Sequence, residues 1–458
     1  MLIPLQSAKA DSFCSANRSD LLFISLDWSR PKDIRTPLST ASIEAYFREN
    51  QRGCVNAEFK NFNLNSPNFD VRDVQKSVEA HSPKFLALGA YIWNEKYLPG
   101  IVEWAKTHYP ETTIILGGPQ VTYGNCHLVT EYPGTDYFVR GEGELPFTEL
   151  VNVLSLGEVP NGDLLNHYAI YTPELLEQGK CDRIFTTELD RLPSPYLSNI
   201  LPIDQNQVFV RWETMRRCPY QCSFCQFRVE GHHKVSEINL DRLFQELSHF
   251  KEKEVQEINV LDPIFNLKPK HYLEICKKIE ALEMQSRFYF QCRLELLCKP
   301  REAEFLKFCQ DHDVWLEFGV QTFREKESQA IERGNKYDKI DKAIEMLHRF
   351  NVPFDLHLIF GLPYQSFENF LWSYDRARAA HPRGLYLFPL NVLKGTKLYQ
   401  KRKEWQYEFD SMNNNVFLKS KWMTTEAARR LKGFAEDVNS QSKSARDSGS
   451  LIQFPDLM

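Results

Sequence analysis

The sequence predicts an α/β protein: an N-terminal doubly wound, parallel-sheet domain of Rossmann-like type, then a (β/α)6 partial barrel, then a helical C-terminal region. Three observations predict it. Apolar runs alternate with stretches of helical spacing up to about residue 155, and strands alternating with helices imply a parallel sheet. A second series of six strand–helix units begins near Val208, a rhythm that fits a partial barrel and leaves an open sheet as the alternative. Several of its strands carry polar residues on one face, where parallel strands covered on both sides are nearly all apolar.

In the first series Leu21–Leu26, Phe85–Gly89 and Thr113–Leu116 are short continuous apolar runs, as buried strands are, and 40–49, 71–80 and 96–106 have helix spacing between them. The run Ile114–Leu116 leads into Gly117-Gly118-Pro119, and farther on comes Arg140-Gly141-Glu142-Gly143-Glu144. Glycines at the carboxyl edge of a parallel sheet let the backbone approach a bulky ligand, although a Gly-Gly-Pro turn alone reads simply as a tight turn.

Residues 156–206 have linker composition, with Pro193-Ser194-Pro195 and room for a short hairpin. The second series has expected strands at 208–213, 257–262, 287–295, 314–321, 353–360 and 385–392. Beyond 400 the chain is helical and charged, and Ser440 to Ser450 reads as a mobile tail. The expected domains are 1–155, a linker at 156–206, the barrel at 207–395 and the extension at 396–458.

With 458 residues the chain exceeds what one core organises. A net charge of −5 and a pI near 6.2 leave no basic footprint, so neither nucleic acid nor an anionic membrane is an expected partner. No apolar run reaches the roughly 20 residues of a membrane helix. Met1-Leu2-Ile3-Pro4-Leu5-Gln6 does not pattern as a signal peptide, so a cytoplasmic, reducing setting is expected. There the 11 cysteines should be thiols or metal ligands rather than disulfides. The 13% aromatic share, with 32 Phe, suits thick cores.

Cys218, Cys222 and Cys225 stand at CxxxCxxC spacing directly after an expected strand. Thiolates in one short loop can converge on a soft metal centre, and three of them leave one iron of a 4Fe-4S cube open. A zinc site completed by His232 or His233 stays open, as does a cluster of buried thiols. The other eight cysteines (14, 54, 126, 181, 276, 292, 298, 309) have no such spacing and are expected to be structural.

CxxxCxxC with an aromatic residue, Phe224, before the last Cys, following the first barrel strand, resembles the radical S-adenosylmethionine (SAM) superfamily. The resemblance implies a 4Fe-4S cluster on Cys218, Cys222 and Cys225, with SAM chelating the open iron and Phe224 near its adenine. The order of Leu261-Asp262-Pro263, Gly319-Val320-Gln321-Thr322, Gly361-Leu362-Pro363 and Leu393-Lys394-Gly395-Thr396 is similar to that barrel too. It implies Asp262 at the SAM amino group, Arg293 at the carboxylate, and Glu295 or Gln321 at the ribose. Related proteins often carry Gly before the first Cys, where this chain has Arg217.

Gly117-Gly118-Pro119 and Ala90-Tyr91-Ile92-Trp93-Asn94, placed before such a barrel, resemble the cobalamin-binding domain of cobalamin-dependent radical SAM enzymes, a likeness covering roughly residues 20–400. It implies Gly117, Gly118 and Pro119 along the nucleotide tail, and Tyr91 and Glu142 near the corrin. The Asp-x-His-x-x-Gly motif that coordinates cobalt in many cobalamin proteins is absent; Asp355-Leu356-His357 with Gly361 has the wrong spacing.

The activity implied is methyl transfer to an unactivated carbon, or less often to phosphorus. The reduced cluster splits SAM, the deoxyadenosyl radical removes a substrate hydrogen, and methylcobalamin supplies the methyl group. Rearrangement or cyclisation with the same cofactors, or cofactor binding without turnover, are the alternatives. The implied partners are a small-molecule or peptide substrate and an external electron donor such as flavodoxin or ferredoxin. His357 and Asp355 share one side of a strand facing the barrel interior, which marks them as catalytic candidates.

Overall fold

The computed structural model describes residues 20–448 except 35, 228–233 and 300. Met1–Gln6, Cys14, His232, His233 and the last part of the expected tail lie outside the described residues.

The first sheet is built from β1 (Leu21–Asp27), β2 (Ala57–Asn63), β3 (Phe85–Gly89), β4 (Thr113–Gly117), β5 (Tyr137–Val139) and β6 (Ile170–Tyr171). Its order is β2-β1-β3-β4-β5-β6, parallel except for the antiparallel β5–β6 pair. Period two splits its core in two. Leu22, Ile24, Leu86, Leu88, Ile114 and Leu116 pack with Val74, Val78, Ile101 and Val102 of the helices Val71–His81 and Leu98–His108. Leu21, Phe23, Phe85, Ala87 and Ile115 pack on the other side with Phe47 of helix Leu38–Asn50 and with Phe147, Leu150 and Val151 of helix Glu144–Ser155. Helices on both faces explain why the central strands read as unbroken apolar runs.

Three strands of this sheet escaped the sequence reading, one of them the three-residue β5. β2 lies at the sheet edge, half-buried throughout, and its AEFKNFN alternation is diluted by polar residues. β6 is drawn from the segment expected to be linker, so the first domain reaches into it.

The second sheet contains β7 (Phe209–Trp212), then, after the short antiparallel pair β8 (Met215–Arg216) and β9 (Ser236–Glu237), the strands β10 (Glu257–Val260), β11 (Arg287–Cys292), β12 (Val314–Gln321), β13 (Phe354–Phe360) and β14 (Gly384–Pro389). Its order is β14-β13-β12-β11-β10-β7, with every neighbour parallel. Along β13 the outward Phe354, Leu356, Leu358 and Phe360 are buried, while His357 and Ile359 are half-buried on the inner side. Along β12, Leu316, Phe318 and Val320 alternate with the half-buried Glu317, Gly319 and Gln321. A hairpin of β15 (Glu408–Asp410) and β16 (Val416–Lys419) follows.

The expected mobile tail is instead helical as far as Ser448, in the helix Thr425–Ser448. It pairs with the backbone of the edge strand β14: Asn439 Oδ1 accepts from Leu387 N–H (2.8 Å), and Ser442 Oγ donates to Leu385 O (2.7 Å). Ser442, from the stretch that reads as disordered composition, serves here together with Asn439 to cover a sheet edge.

Candidate active site

The cysteine loop begins where β7 ends, and Asp262 shapes its entry. Asp262 is fully buried, and its carboxylate accepts from Thr214 N–H (2.8 Å), Met215 N–H (3.0 Å) and the Thr214 hydroxyl. Burial pushes its acid up to about 7. Both oxygens accept from the turn ahead of the cysteines, and among the described residues Oδ2 takes only the Thr214 hydroxyl.

Arg216 and Arg217 then anchor the loop to the first domain. Arg216 meets Glu144 (2.8 Å), which also accepts from Ser42 Oγ (3.0 Å). Burial opposes the Glu144 charge, but the Arg216 guanidinium outweighs it and holds the carboxyl below its ordinary value. Arg217 stands at φ +72° and donates from Nε and Nη2 to the two oxygens of Glu142 (2.9 and 3.0 Å), and from Nη2 to Thr187 O (2.5 Å).

Cys222 is buried, and Cys218 and Cys225 are half-buried. Cys225 N–H donates to Cys222 O (3.2 Å), closing a tight turn that holds the two thiols on one loop. Burial pushes the Cys225 thiol up to about 12 and raises that of Cys218. Among the described residues no three potential ligands already stand around one point, these thiols included. The donor set suits an iron–sulfur cluster nonetheless: three soft sulfurs within eight residues, with a backbone N–H (Phe227, 3.4 Å) already aimed at Cys225 Sγ.

Beside the loop lies a charged network. Arg293 is buried, ion-paired with Glu295 (2.9 Å), and stacked 3.8 Å from the ring centroid of Tyr220, between the first two cysteines. β11 stops at Cys292, so Arg293 and Glu295 are not alternate residues of one strand. Asn266 bonds both the N–H (3.0 Å) and the carbonyl (3.1 Å) of Arg293, and a short helix, Leu294–Leu297, starts there. Gln321 closes β12 at φ +70°, where the register shifts against β13.

Arg333, which the sequence reading missed, sits 3.6 Å from Cys222 Sγ and donates to Gly319 O; its buried Nε meets no acceptor among the described residues. No motif announces it. A buried guanidinium and a solvated one look alike in sequence.

Facing the loop is the carboxyl edge of the first sheet. Gly118 has φ +94°, and a Cβ there would lie 2.7 Å from Ala90 O, so only glycine makes this turn. Asn94 holds the neighbouring turn by accepting from Tyr91 N–H (2.8 Å) and donating to Gly89 O (2.8 Å) and Leu26 O (3.0 Å). A cavity of about 630 Å³ lies between the two domains. Tyr91, Gly117, Gly118, Pro119 and Glu142 border it from one side, and Met215, Phe224 and Cys225 from the other.

The barrel interior separates the two catalytic candidates. His357 faces inward between the edges of Tyr386 and Phe388, at centroid distances of 5.5 Å from each. Burial and the Arg446 charge push its imidazole down to about 4. Asp355, fully buried at the opening of β13, turns instead to Arg446 (3.8 Å), which also faces Glu317 (3.8 Å) and the rings of Tyr289 and Trp315. This cluster stoppers the end of the barrel opposite the cysteine loop. Asp355 is thus part of the stopper rather than a partner for His357.

Two family models match in order: the B12 binding domain over residues 31–151 and the radical SAM superfamily over residues 212–377. The chain is 24% identical over 402 residues to the cobalamin-dependent radical SAM methyltransferase TokK of Streptomyces tokunonensis, covering 83% of this chain and 57% of that protein. It is 26% identical over 357 residues to the 2-(S-pantetheinyl)-carbapenam-3-carboxylate methyltransferase of Streptantibioticus cattleyicolor, covering 73% and 50% respectively. The chain therefore spans about half the length of these curated relatives.

Among solved structures, the fold matches the cobalamin-dependent SAM radical enzyme OxsB with aqua-cobalamin bound (TM-score 0.66, 14% identity, 93% of this chain and 66% of that one). It also matches the radical SAM methyltransferase TsrM of Kitasatospora setae with tryptophan and a SAM analogue (TM-score 0.64, 14% identity, 84% and 76%). The chain thus carries a B12 binding domain over residues 31–151 ahead of a radical SAM superfamily domain over residues 212–377, on a fold shared with the OxsB and TsrM structures.

Proposed function

We propose that this chain is a cobalamin-dependent radical SAM methyltransferase acting on an unactivated carbon. One arrangement supports this reading above all: the glycine edge of the first domain and the Phe224–Cys225 stretch of the cysteine loop border the same cavity. A methyl carrier on one wall and a radical source on the other share a substrate only if they open on one space.

The bound cluster and SAM supply hydrogen-atom removal, and bound cobalamin supplies the methyl group. The chain's own residues hold these groups. Cys218, Cys222 and Cys225 hold the cluster. Arg293 would offer its guanidinium to the SAM carboxylate, Glu295 or Gln321 would meet the ribose, and Phe224 would lie near the adenine. Gly117, Gly118 and Pro119 keep the backbone low along the nucleotide tail, while Tyr91 and Glu142 flank the corrin. His357, neutral at physiological pH, hydrogen-bonds the substrate inside the barrel.

The division into 1–155, 156–206, 207–395 and 396–458 is retained as the functional one, with β6 belonging to the first unit. The substrate is a small molecule or a peptide segment. The electron donor is an external carrier such as flavodoxin or ferredoxin, in the reducing setting of the cytoplasm. Among the described residues no helix is long and apolar enough to cross a membrane.

The test is anaerobic incubation of reconstituted enzyme with methyl-labelled SAM and an extract of its host. Label appearing in a new carbon-methylated product supports the reading. Steady 5′-deoxyadenosine formation together with a converted but unlabelled product would overturn it in favour of a rearrangement.

A further inference from the structure

Two thiols outside the cysteine loop meet across the first domain. Cys126 follows the turn after Gly118, and Cys181 lies on the strap that runs from helix Pro173–Glu177 to Thr187. Their Sγ atoms are 2.6 Å apart, and both residues are half-buried. A buried arginine brings the two segments together. Arg140, 6% exposed, donates to the carbonyls of Thr122 (2.7 Å) and Gly124 (2.9 Å) on the Cys126 side and to the Cys181 carbonyl on the other.

The strap then continues to the domain interface. Phe185 N–H donates to Arg140 O (2.9 Å), Glu142 N–H donates to Phe185 O (3.0 Å), and Thr187 N–H donates to Glu142 Oε2 (2.6 Å). Gly141 has φ +111°, and a Cβ there would lie 2.1 Å from Phe185 O, so the two strips of backbone touch. Phe185 lines the cavity between the domains. Cys181 lines a second, polar cavity of about 970 Å³ that also reaches Cys222 and Cys225. Cys181 is therefore open to a small disulfide oxidant.

We propose that Cys126 and Cys181 form a dithiol–disulfide couple that staples the 181–187 strap to the first domain. One cysteine thiolate attacks a disulfide oxidant, such as glutathione disulfide, and expels one thiol. The second cysteine attacks the mixed disulfide and expels the other. One intramolecular S–S bond forms, the oxidant's S–S bond breaks, and two electrons and two protons pass to the oxidant. Closing it fixes the strap whose Thr187 carbonyl receives Arg217. The proposal stands on the first domain's own geometry and does not depend on which reaction the enzyme catalyses.

The test uses the full-length, anaerobically purified protein, exposed to glutathione disulfide, alkylated and mapped without reduction. A Cys126–Cys181 cross-linked peptide forming ahead of any bond to the exposed Cys54, and disappearing with dithiothreitol, is the expected result. Limited proteolysis within 178–187 slows in the oxidised form. Cys126→Ser should leave a glutathione adduct on Cys181, and Cys181→Ser one on Cys126, each with the parent's circular dichroism. Free alkylation of both residues after oxidation, or stable glutathione adducts on both in the parent, would sink the proposal. So would a cross-linked form whose strap is cut as fast as before.

Discussion

Arg217, one residue before the first motif cysteine, lies at φ +72° and sends both edges of its guanidinium to Glu142, a residue of the first domain 75 positions earlier. A non-glycine residue in the left-handed region costs roughly 1–2 kcal/mol. A bidentate charged pair removed from water offsets that cost and adds direction. A glycine here could adopt the turn but could not make the bridge. Arg217→Gly is expected to keep its cluster iron while binding hydroxocobalamin about tenfold more weakly. In a double-mutant cycle with Glu142→Gln the coupling should be about 1–3 kcal/mol. Additive effects of the two substitutions on cobalamin affinity would remove the bridge from the account.

Replacing Cys218, Cys222 and Cys225 by Ala together should abolish cluster iron, read by Mössbauer and electron paramagnetic resonance spectra after anaerobic reconstitution. The thiols of Cys276 and Cys309 are buried elsewhere in the core and cannot substitute. Parent-level cluster iron in the triple variant would contradict the assignment.

Gly118→Ala tests the other wall. The added methyl has backbone at 2.7 Å and cannot be absorbed by a rotamer change. The variant should emerge colourless from desalting after hydroxocobalamin, with cluster content unchanged. The parent should retain cobalamin and show no imidazole nitrogen hyperfine pattern from the first domain in its cob(II)alamin spectrum.

Asp262 carries a pH signature. Its acid is raised to about 7 by burial, from an ordinary value of 3.8. Folding therefore favours the protonated form: the contribution is full below about pH 4 and is lost as pH rises through 7. Asp262→Asn keeps an oxygen acceptor without the charge, so its melting temperature relative to the parent should rise between pH 5 and 8. Asp262→Ala leaves two buried N–H groups without an acceptor and should cost about 2–4 kcal/mol. Equal pH dependence in the parent and Asp262→Asn would show that the carboxyl is not the titrating group.

His357 titrates in the opposite sense. With its imidazole pushed down to about 4 from 6.5, the stability it contributes is complete above pH 6.5 and is lost as pH falls towards 4. Nuclear magnetic resonance should show it neutral throughout pH 5–8. His357→Gln should keep cluster, cobalamin and melting temperature at pH 7.5 while product formation falls about a hundredfold. Full activity, or joint loss of folding and activity, would make it a core residue.

The triad, the central strands and the glycine turn were legible in the sequence because each is local. Cys218 to Cys225 span one loop, and β1, β3 and β4 are buried on both faces, so their apolar runs stand out unbroken. The inner face of the barrel was legible too, since His357, Glu317 and Gln321 keep to period two. The rest was decided by contacts between distant parts of the chain. A carboxylate looks the same in sequence whether it meets a ligand or, like Asp262, caps backbone 48 residues earlier. Asp355 belongs to Arg446 only because a helix expected to be a tail returns to the barrel. Lys394 reaches Glu95 across 299 residues, and Arg217 reaches Glu142, only once the two domains have docked. Local spacing records which chemistry a loop can hold; burial and charge pairing, which settle what each polar side chain does, come into being only when the chain closes on itself.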